Sequence, residues 1–321
     1  MTDSPRGTAE FDLIARIRAR AFTRDDVILG IGDDAALLKV PSGKLLVVAT
    51  DTLNSGVHFP VDTAPADIGW KALAVNLSDL AAMGAEPAWC TLSLSLPGAD
   101  ASWLDGFLDG FLELANRYRI VLVGGDTTRG PLSVCVTVHG LVDADKALRR
   151  DAAKVGDDIW VTGTLGDAAA ALVQWQSGQA IDPSLRQRLD RPTPRIEAGL
   201  AIAGLAHACI DISDGLLVDL GHVCVASGVG AEIEVDALPS SAALLLFDAG
   251  QRQHLQASGG DDYELCFTAP TAARAGIAGV AGKCGVAMTR IGRIVEGARV
   301  HAIPTDGSEW TQPKAGYVHF A

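Results

Sequence analysis

The sequence predicts two successive α/β (α+β) domains, the first resting on a mixed sheet covered on one side. Three observations carry that prediction. The chain has 321 residues, 48% of them hydrophobic and 20% charged, an ordinary globular balance with enough length for two cores. Short apolar or period-two runs alternate along it with segments of helical spacing. The alternation restarts after one charged connection, LRRDAAKVGDD from Leu148, which sets the domains at 1–148 and 149–321.

In the first half, AEFDLIARIRARA at 9–21 places apolar side chains at helical spacing, and LLVVA at 45–49 is a short strand run ending at Thr50-Asp51. A helix is expected over 65–83, stopped by Gly84 and then Pro87. TLSLSL at 91–96 and LSVCVTV at 132–138 alternate polar and apolar residues, as strands with one buried face do. Between them 103–118 has helical spacing, and IVLV at 120–123 reads as a buried strand opening directly into Gly124-Gly125-Asp126. One-sided strands of this kind fit a mixed sheet with helices on one face. In the second half, strand runs are expected at 159–163 and near 208–212, 231–235 and 264–268. Helices are expected at about 166–175, 194–205, 215–227 and 270–280. No fixed-period repeat or low-complexity stretch interrupts the pattern.

Composition narrows the function. A formal net charge of −13 argues against a nucleic-acid backbone or an anionic membrane surface as the main partner. No run approaches the roughly eighteen consecutive apolar residues of a membrane helix, and the opening MTDSPRGTAE lacks a signal peptide's apolar stretch, so a cytoplasmic location is expected. Cys90, Cys135, Cys209, Cys224, Cys266 and Cys284 are scattered without a CxxC pair. They read as small buried hydrophobes rather than zinc ligands or a disulfide framework.

The acidic residues are the informative ones. There are 30 Asp against 9 Glu, and Asp is both a turn and cap residue and a short, hard oxygen ligand. Five segments combine Gly, Asp and Ser or Thr at the ends of expected strands: Gly30-Ile31-Gly32-Asp33-Asp34, Thr50-Asp51-Thr52, Gly124-Gly125-Asp126-Thr127-Thr128, Asp211-Ile212-Ser213-Asp214-Gly215 and Gly259-Gly260-Asp261-Asp262. Each taken singly reads as a turn. Asn76-Leu77-Ser78-Asp79 does not, because it lies inside a helix, where Asn76 and Asp79 share a face. Capping does not explain Asp79 among Leu77, Leu80 and Ala81, and a carboxylate in such surroundings needs a counter-charge.

If Asp33, Asp34, Asp51, Asp79, Asp126, Asp211 and Asp214 converge, repulsion dominates: two unit charges 4 Å apart cost about 4 kcal/mol at an effective dielectric constant of 20. Nearby cations, chiefly Lys71, Arg129 and Arg150, are too few. Several divalent ions are the natural counter-charge, and carboxylates with hydroxyls suit Mg²⁺ rather than zinc. Loaded with metal, such a cluster receives polyphosphate, with glycine-rich backbone N–H groups as additional donors. That combination points to phosphoryl transfer. There is no GxxxxGK[ST] loop, no kinase-type HRD or DFG set, and Gly30-Ile31-Gly32 lacks the third glycine of a dinucleotide fingerprint. No nucleophile–base pair stands out either. A phosphate monoester needs none, because with a second pKa of about 6 it is already an anion near neutral pH.

Six ordered motifs carry a resemblance that runs nearly end to end: GIGDDAAL at 30–37, TDTL at 50–53 with His58, KALAVNLSDLAAMGA at 71–85, GGDTTRGPLS at 124–133, IDISDGL at 210–216 and GGDDYEL at 259–265. The chain resembles the thiamine-monophosphate kinase family, of the superfamily that includes aminoimidazole ribonucleotide synthetase. The resemblance implies a two-domain aminoimidazole ribonucleotide synthetase-like fold. Its N-terminal mixed sheets would join across a homodimer, and its C-terminal α/β domain would flank the cleft. It implies direct in-line transfer from ATP, as co-substrate, to thiamine monophosphate, without a phosphoenzyme. Asp34, Thr50, Asp51, Asp79, Asp126, Asp211 and Asp214 would coordinate several Mg²⁺ ions, Asp51 and Asp126 acting by positioning metal. Gly125, Asp126, Arg150 and Ser213 would meet the nucleotide, and His58, Asp261 and Tyr317 the thiamine phosphate. Two positions depart from the family pattern: Ala49 stands where a hydroxyl-bearing residue is frequent, and Asp261 where Glu is usual.

Two other readings compete. One keeps the fold and makes the chain another ATP-using synthetase of the superfamily. Selenide chemistry would call for a reactive residue near the N-terminus, and the first cysteine is Cys90. The other is a non-catalytic nucleotide- or metal-binding regulator, for which so many carboxylates would have no use.

Overall fold

A computed structural model describes residues 9–304 and 310. The chain forms two compact units, one from the segment up to Leu80 with Glu86–Ala144, the other from Ala81–Ala85 with the chain from Asp145 onward.

The first unit contains α1 (Ala9–Arg20), β1 (Val27–Leu29), β2 (Leu37–Leu38), β3 (Lys44–Asn54), α2 (Pro65–Ala82), β4 (Glu86–Leu96), α3 (Ala101–Tyr118), β5 (Val121–Arg129) and β6 (Ser133–Asp143). Four strands form a mixed sheet in the order β3-β6-β4-β5, in which β4 and β5 run parallel and the other pairs antiparallel. Period-two alternation buries Leu53, Leu92, Leu94, Leu96, Val134, Val136 and Val138 on one face. The apolar stripe of α3, Leu104, Phe107, Leu108, Phe111 and Leu114, is fully buried, as is Leu73, Leu77 and Leu80 of α2. These helices pack very closely. A Cβ on Gly110 would lie 1.7 Å from the Ala66 carbonyl oxygen, and one on Gly69 2.0 Å from that of Phe107. The Asp100 carboxylate starts α3 by accepting the Ser102 and Trp103 N–H groups, and Arg119 ends it at φ 54°.

The opposite face divides in two. At one end Phe22, Val27, Ala36 and Leu38, in and around β1 and β2, pack on Trp89, Val121, Val123 and Leu141. Beyond them Thr50, Thr52 and Ser93 are exposed, with Thr91 and Thr137 half-buried beside them. Edge strand β3 also leaves Leu45, Leu46 and Val48 about half exposed (51%, 46% and 55%).

The strands run longer than the sequence suggested. β5 continues through Gly124-Gly125-Asp126 as far as Arg129 because the ladder slips by one residue at Val123. Leu122 pairs with Cys90, yet Gly124 pairs with Thr91, so Val123 forms a bulge and the glycines remain in the sheet.

The second unit contains β7 (Asp158–Thr162), α4 (Asp167–Gln176), α5 (Pro183–Asp190), α6 (Ile196–Ile202), β8 (Ala208–Asp211), α7 (Leu216–Ser227), β9 (Gly230–Glu234), α8 (Ala249–Ser258), β10 (Leu265–Ala269), α9 (Arg274–Cys284), β11 (Met288–Val295) and β12 (Val300–Ile303). Its six-stranded sheet has the order β12-β9-β11-β7-β10-β8, antiparallel except between β12 and β9. Ile159, Val161, Ile210, Ala231, Ile233, Ile291 and Ile294 from the strands meet Leu216, Leu220 and Val223 of α7 in one core. A smaller cluster joins α4, α5 and α8 through Ala170, Leu185, Leu189 and Leu255. Cys90, Cys209, Cys224 and Cys266 are buried and Cys135 and Cys284 partly so, all as free thiols. Among the described residues no helix is long and apolar enough to cross a membrane.

Candidate active site

In the first unit two neighbouring rows across the sheet carry candidate residues. One runs Asp51, Val136, Leu92, Gly125; the next runs Thr52, Cys135, Ser93, Asp126. Successive rows face opposite sides. Asp51 therefore belongs with buried Leu53 and Val136, whereas Asp126 belongs with the hydroxyl-rich face and is exposed. The two carboxylates also stand on opposite edge strands, three inter-strand spacings or about 14 Å apart.

Asp51 and Asp79, both half-buried, come to the same side. The buried Asn76 amide oxygen accepts the Asp51 backbone N–H at 3.0 Å, while its amide nitrogen donates to the Ala72 carbonyl at 3.0 Å. That pair of bonds ties the middle of α2 to β3, with Asp79 one turn further along the same helix face. The Thr50 hydroxyl lies 3.1 Å from the Val136 carbonyl and 3.0 Å from the Thr137 hydroxyl. Asp34 is exposed, its backbone N–H donating to the Asp33 carboxylate at 2.8 Å. His58 Nδ1 accepts the Asn54 N–H at 2.9 Å, so the neutral ring carries its proton on Nε2.

Gly125 has φ 148°, and a Cβ there would sit 1.8 Å from the Leu92 carbonyl oxygen. Only glycine lets β5 pass β4 at this point.

In the second unit Asp211 is buried at the end of β8, and Ser213 and Asp214 follow half-buried. Their loop is held from both sides. On one side a single oxygen of Asp219, in the first turn of α7, accepts the N–H groups of Ser213, Asp214 and Gly215 at 3.0, 3.1 and 3.1 Å. On the other side the Ser213 carbonyl accepts the Asp261 N–H at 2.9 Å and the Ile212 carbonyl accepts the Tyr263 N–H at 2.8 Å. Burial, followed by the charges of Asp211 and Asp214, pushes the Asp219 carboxyl up to about 7. Asp261 adopts φ 68° and accepts the Tyr263 hydroxyl at 3.0 Å.

The rest of that motif is structural. Asp262 is buried and accepts the Gly166 N–H with both oxygens at 2.9 Å; burial raises its carboxyl well above the usual range. Glu264, fully buried, accepts from Thr162 at 2.6 Å, from Arg188 at 2.8 Å and from two nitrogens of Arg195. Arg150 is exposed beside β8, where Arg149 bridges to Ala208. Tyr317 lies outside the described residues.

Each unit thus assembles part of the expected set: Asp51 with Asp79 in one, and Asp211, Ser213, Asp214 and Asp261 in the other. Among the described residues no three carboxylate, imidazole or thiol groups stand together as a metal site. Sequence reasoning missed Asp219 and Glu264. The signal for Asp219 was an acidic residue in the otherwise apolar LLVDL that follows Asp214-Gly215.

The family model described as AIR synthase related protein, N-terminal domain, matches residues 32–142, and its C-terminal counterpart matches 154–303. A protein named thiamine-monophosphate kinase from Salmonella typhimurium is 50% identical over 320 residues, 97% of this chain and 98% of its own. Among solved structures, thiamine-monophosphate kinase from Stenotrophomonas maltophilia K279a shares 55% identity at a TM-score of 0.87, covering 94% of this chain and 98% of its own. A structure of AaThiL complexed with AMPPCP and TMP shares 33% identity at a TM-score of 0.76, covering 97% and 96%. The chain belongs to the AIR synthase related proteins and, among them, to the thiamine-monophosphate kinase family.

Proposed function

We propose that this chain phosphorylates thiamine monophosphate with ATP to give thiamine diphosphate, in the cytoplasm and as a homodimer. One observation carries the reading. A relative whose fold matches 97% of this chain is complexed with AMPPCP and TMP, an ATP analogue beside a phosphate-bearing acceptor. The acceptor's own phosphate oxygen is the nucleophile, so the residues have to bind, align and neutralise rather than remove a proton. Gly125, Asp126, Arg150 and Ser213 are the proposed nucleotide contacts, and His58, Asp261 and Tyr317 the contacts to thiamine phosphate. His58 is suited to donating through Nε2, since Nδ1 is occupied.

The donor set consists of carboxylates and one hydroxyl, hard oxygen ligands that fit Mg²⁺. Asp34, Thr50, Asp51, Asp79, Asp126, Asp211 and Asp214 are its proposed holders. When bound, the ions neutralise charge on the phosphoryl oxygens. One chain's Asp51 and Asp126 cannot share an ion across about 14 Å. The homodimer reading resolves this, because a second copy can bring its own Asp126 to the first copy's Asp51. The long edge strand β3, with exposed Leu45, Leu46 and Val48, suits such an association.

The test is a coupled assay of purified protein with ATP, Mg²⁺ and thiamine monophosphate. Thiamine diphosphate should form in step with ADP. ADP release without it would point to another ATP-using synthetase, and absence of both at high enzyme concentration would sink the kinase reading.

A further inference from the structure

We propose that Asp219 is the positioning residue for the 213–215 loop, fixing Ser213 and Asp214 for their work on metal and nucleotide beside Asp211, which the β8–β10 ladder holds. The proposal rests on the kinase reading above. Three consecutive backbone N–H groups, from Ser213, Asp214 and Gly215, converge on one oxygen of this carboxylate at 3.0–3.1 Å. Asp219 is 3% exposed, so it is placed to hold the loop and not to touch substrate.

This arrangement reverses the usual use of a glycine-containing turn before a helix. In a phosphate-binding nest the N–H groups point out and receive the anion. Here the protein's own carboxylate receives them. The sequence-based expectation that backbone donors reach the polyphosphate therefore fails for this loop, which acts through its side chains.

The constraint extends to the acceptor side. Because the Ser213 carbonyl accepts the Asp261 N–H and the Ile212 carbonyl the Tyr263 N–H, at 2.9 and 2.8 Å, the 259–263 segment is indexed to the same loop. Loosening one carboxylate would disturb Ser213 and Asp214 directly, and Asp261 through Ser213. A buried carboxylate is also a costly way merely to fill space. It is disfavoured by burial and then by the charges of Asp211 and Asp214, and the three N–H bonds counter those costs only in part.

The test compares the full-length wild type with Asp219→Asn and Asp219→Ala. The first readout is amide hydrogen exchange of the peptide covering 212–216, measured without metal or nucleotide. The three amides should be protected in the wild type, stay protected in Asp219→Asn, which keeps an oxygen acceptor, and exchange at least about tenfold faster in Asp219→Ala. The second is calorimetric titration with ADP at saturating Mg²⁺. Asp219→Ala should bind about tenfold or more weakly, and Asp219→Asn within about threefold of wild type. Free exchange of these amides in the wild type would overturn the proposal. So would Asp219→Asn losing nucleotide affinity as severely as Asp219→Ala, which would make the charge rather than the acceptor geometry the active feature. If Asp219→Ala does not fold, exchange and titration of the other two proteins decide. Neither readout requires turnover, so a wild type that makes no thiamine diphosphate would refute the kinase reading and leave this result standing on its own.

Discussion

If a second copy completes the site, two inactive variants should restore one another. Asp51→Asn and Asp126→Asn each remove one carboxylate from a pair that a single chain holds on opposite sheet edges, about 14 Å apart. Each variant alone should be inactive. In a two-fold dimer that pairs one copy's Asp51 with the other's Asp126, a mixed dimer has one site carrying both substitutions and one carrying neither. Random pairing at equal amounts makes half the dimers mixed. Activity should then return to about a quarter of wild type, or about half in a mixed dimer purified through two different tags. The assay is thiamine diphosphate formation after co-expression or after refolding the variants together. If mixed dimers form and stay as inactive as either parent, both carboxylates serve one chain's site and the shared-site argument is wrong.

Three further outcomes follow from the geometry. Gly125→Ala places a Cβ 1.8 Å from the Leu92 carbonyl oxygen. The strand must shift, and kcat should fall by about two orders of magnitude or more, read by steady-state kinetics; wild-type turnover would contradict the strand path. Glu264→Gln removes the buried charge that the largely buried Arg188 and Arg195 share and should cost about 3–5 kcal/mol in urea unfolding; a loss below about 1 kcal/mol would mean the network is not stabilising. Asp219 supplies a pH signature in metal-free protein. Its folded carboxyl stands at about 7 against 3.8 unfolded, so the stability it contributes is present below about pH 4 and lost as pH rises through 7. The loss is on the order of 4 kcal/mol. Wild type should therefore weaken relative to Asp219→Asn across that range, and parallel urea midpoints would refute the assignment.

Much of the fold was legible because its signals are local. The period-two runs around Leu92 and Val136 announced one-sided strands, and the stop at Gly84 and Pro87 placed the end of α2 within a residue or two of Ala82. The polar helices were not legible. α5 buries Leu185 and Leu189 but few other side chains, and α8 reads AGQRQHLQAS. Both begin at an Asp that caps them, Asp182 and Asp248, and that cap was the available clue. At the site, the motifs singled out the candidate residues but not how each is held. The Asn76 bond to the Asp51 N–H and the convergence on Asp219 are side-chain to backbone contacts, invisible to periodicity. Nor could the motifs say that Asp51 and Asp126 lie on different edges, since strand order is a property of the whole sheet.

The single extra residue at Val123 separates the two halves of β5. Upstream, Val121 and Leu122 are locked into cores (2% and 3% exposed); downstream, Asp126 must appear on the hydroxyl-rich face. The bulge absorbs one residue without moving the pairs on either side of it: Leu122 stays opposite Cys90, Gly124 opposite Thr91 and Asp126 opposite Ser93. It also lets Val123 and Gly124, neighbours in the chain, serve the same side of the sheet, where Val123 is buried (2% exposed) with Trp89, Val121 and Leu141 beneath Phe22, Val27, Ala36 and Leu38. Deleting Val123 would therefore leave Asp126 on its present face and open a hole in that cluster, so its first cost should be stability. An insertion or deletion between Gly124 and Asp126 has no such bulge to take it up, and would turn Asp126 to the opposite face.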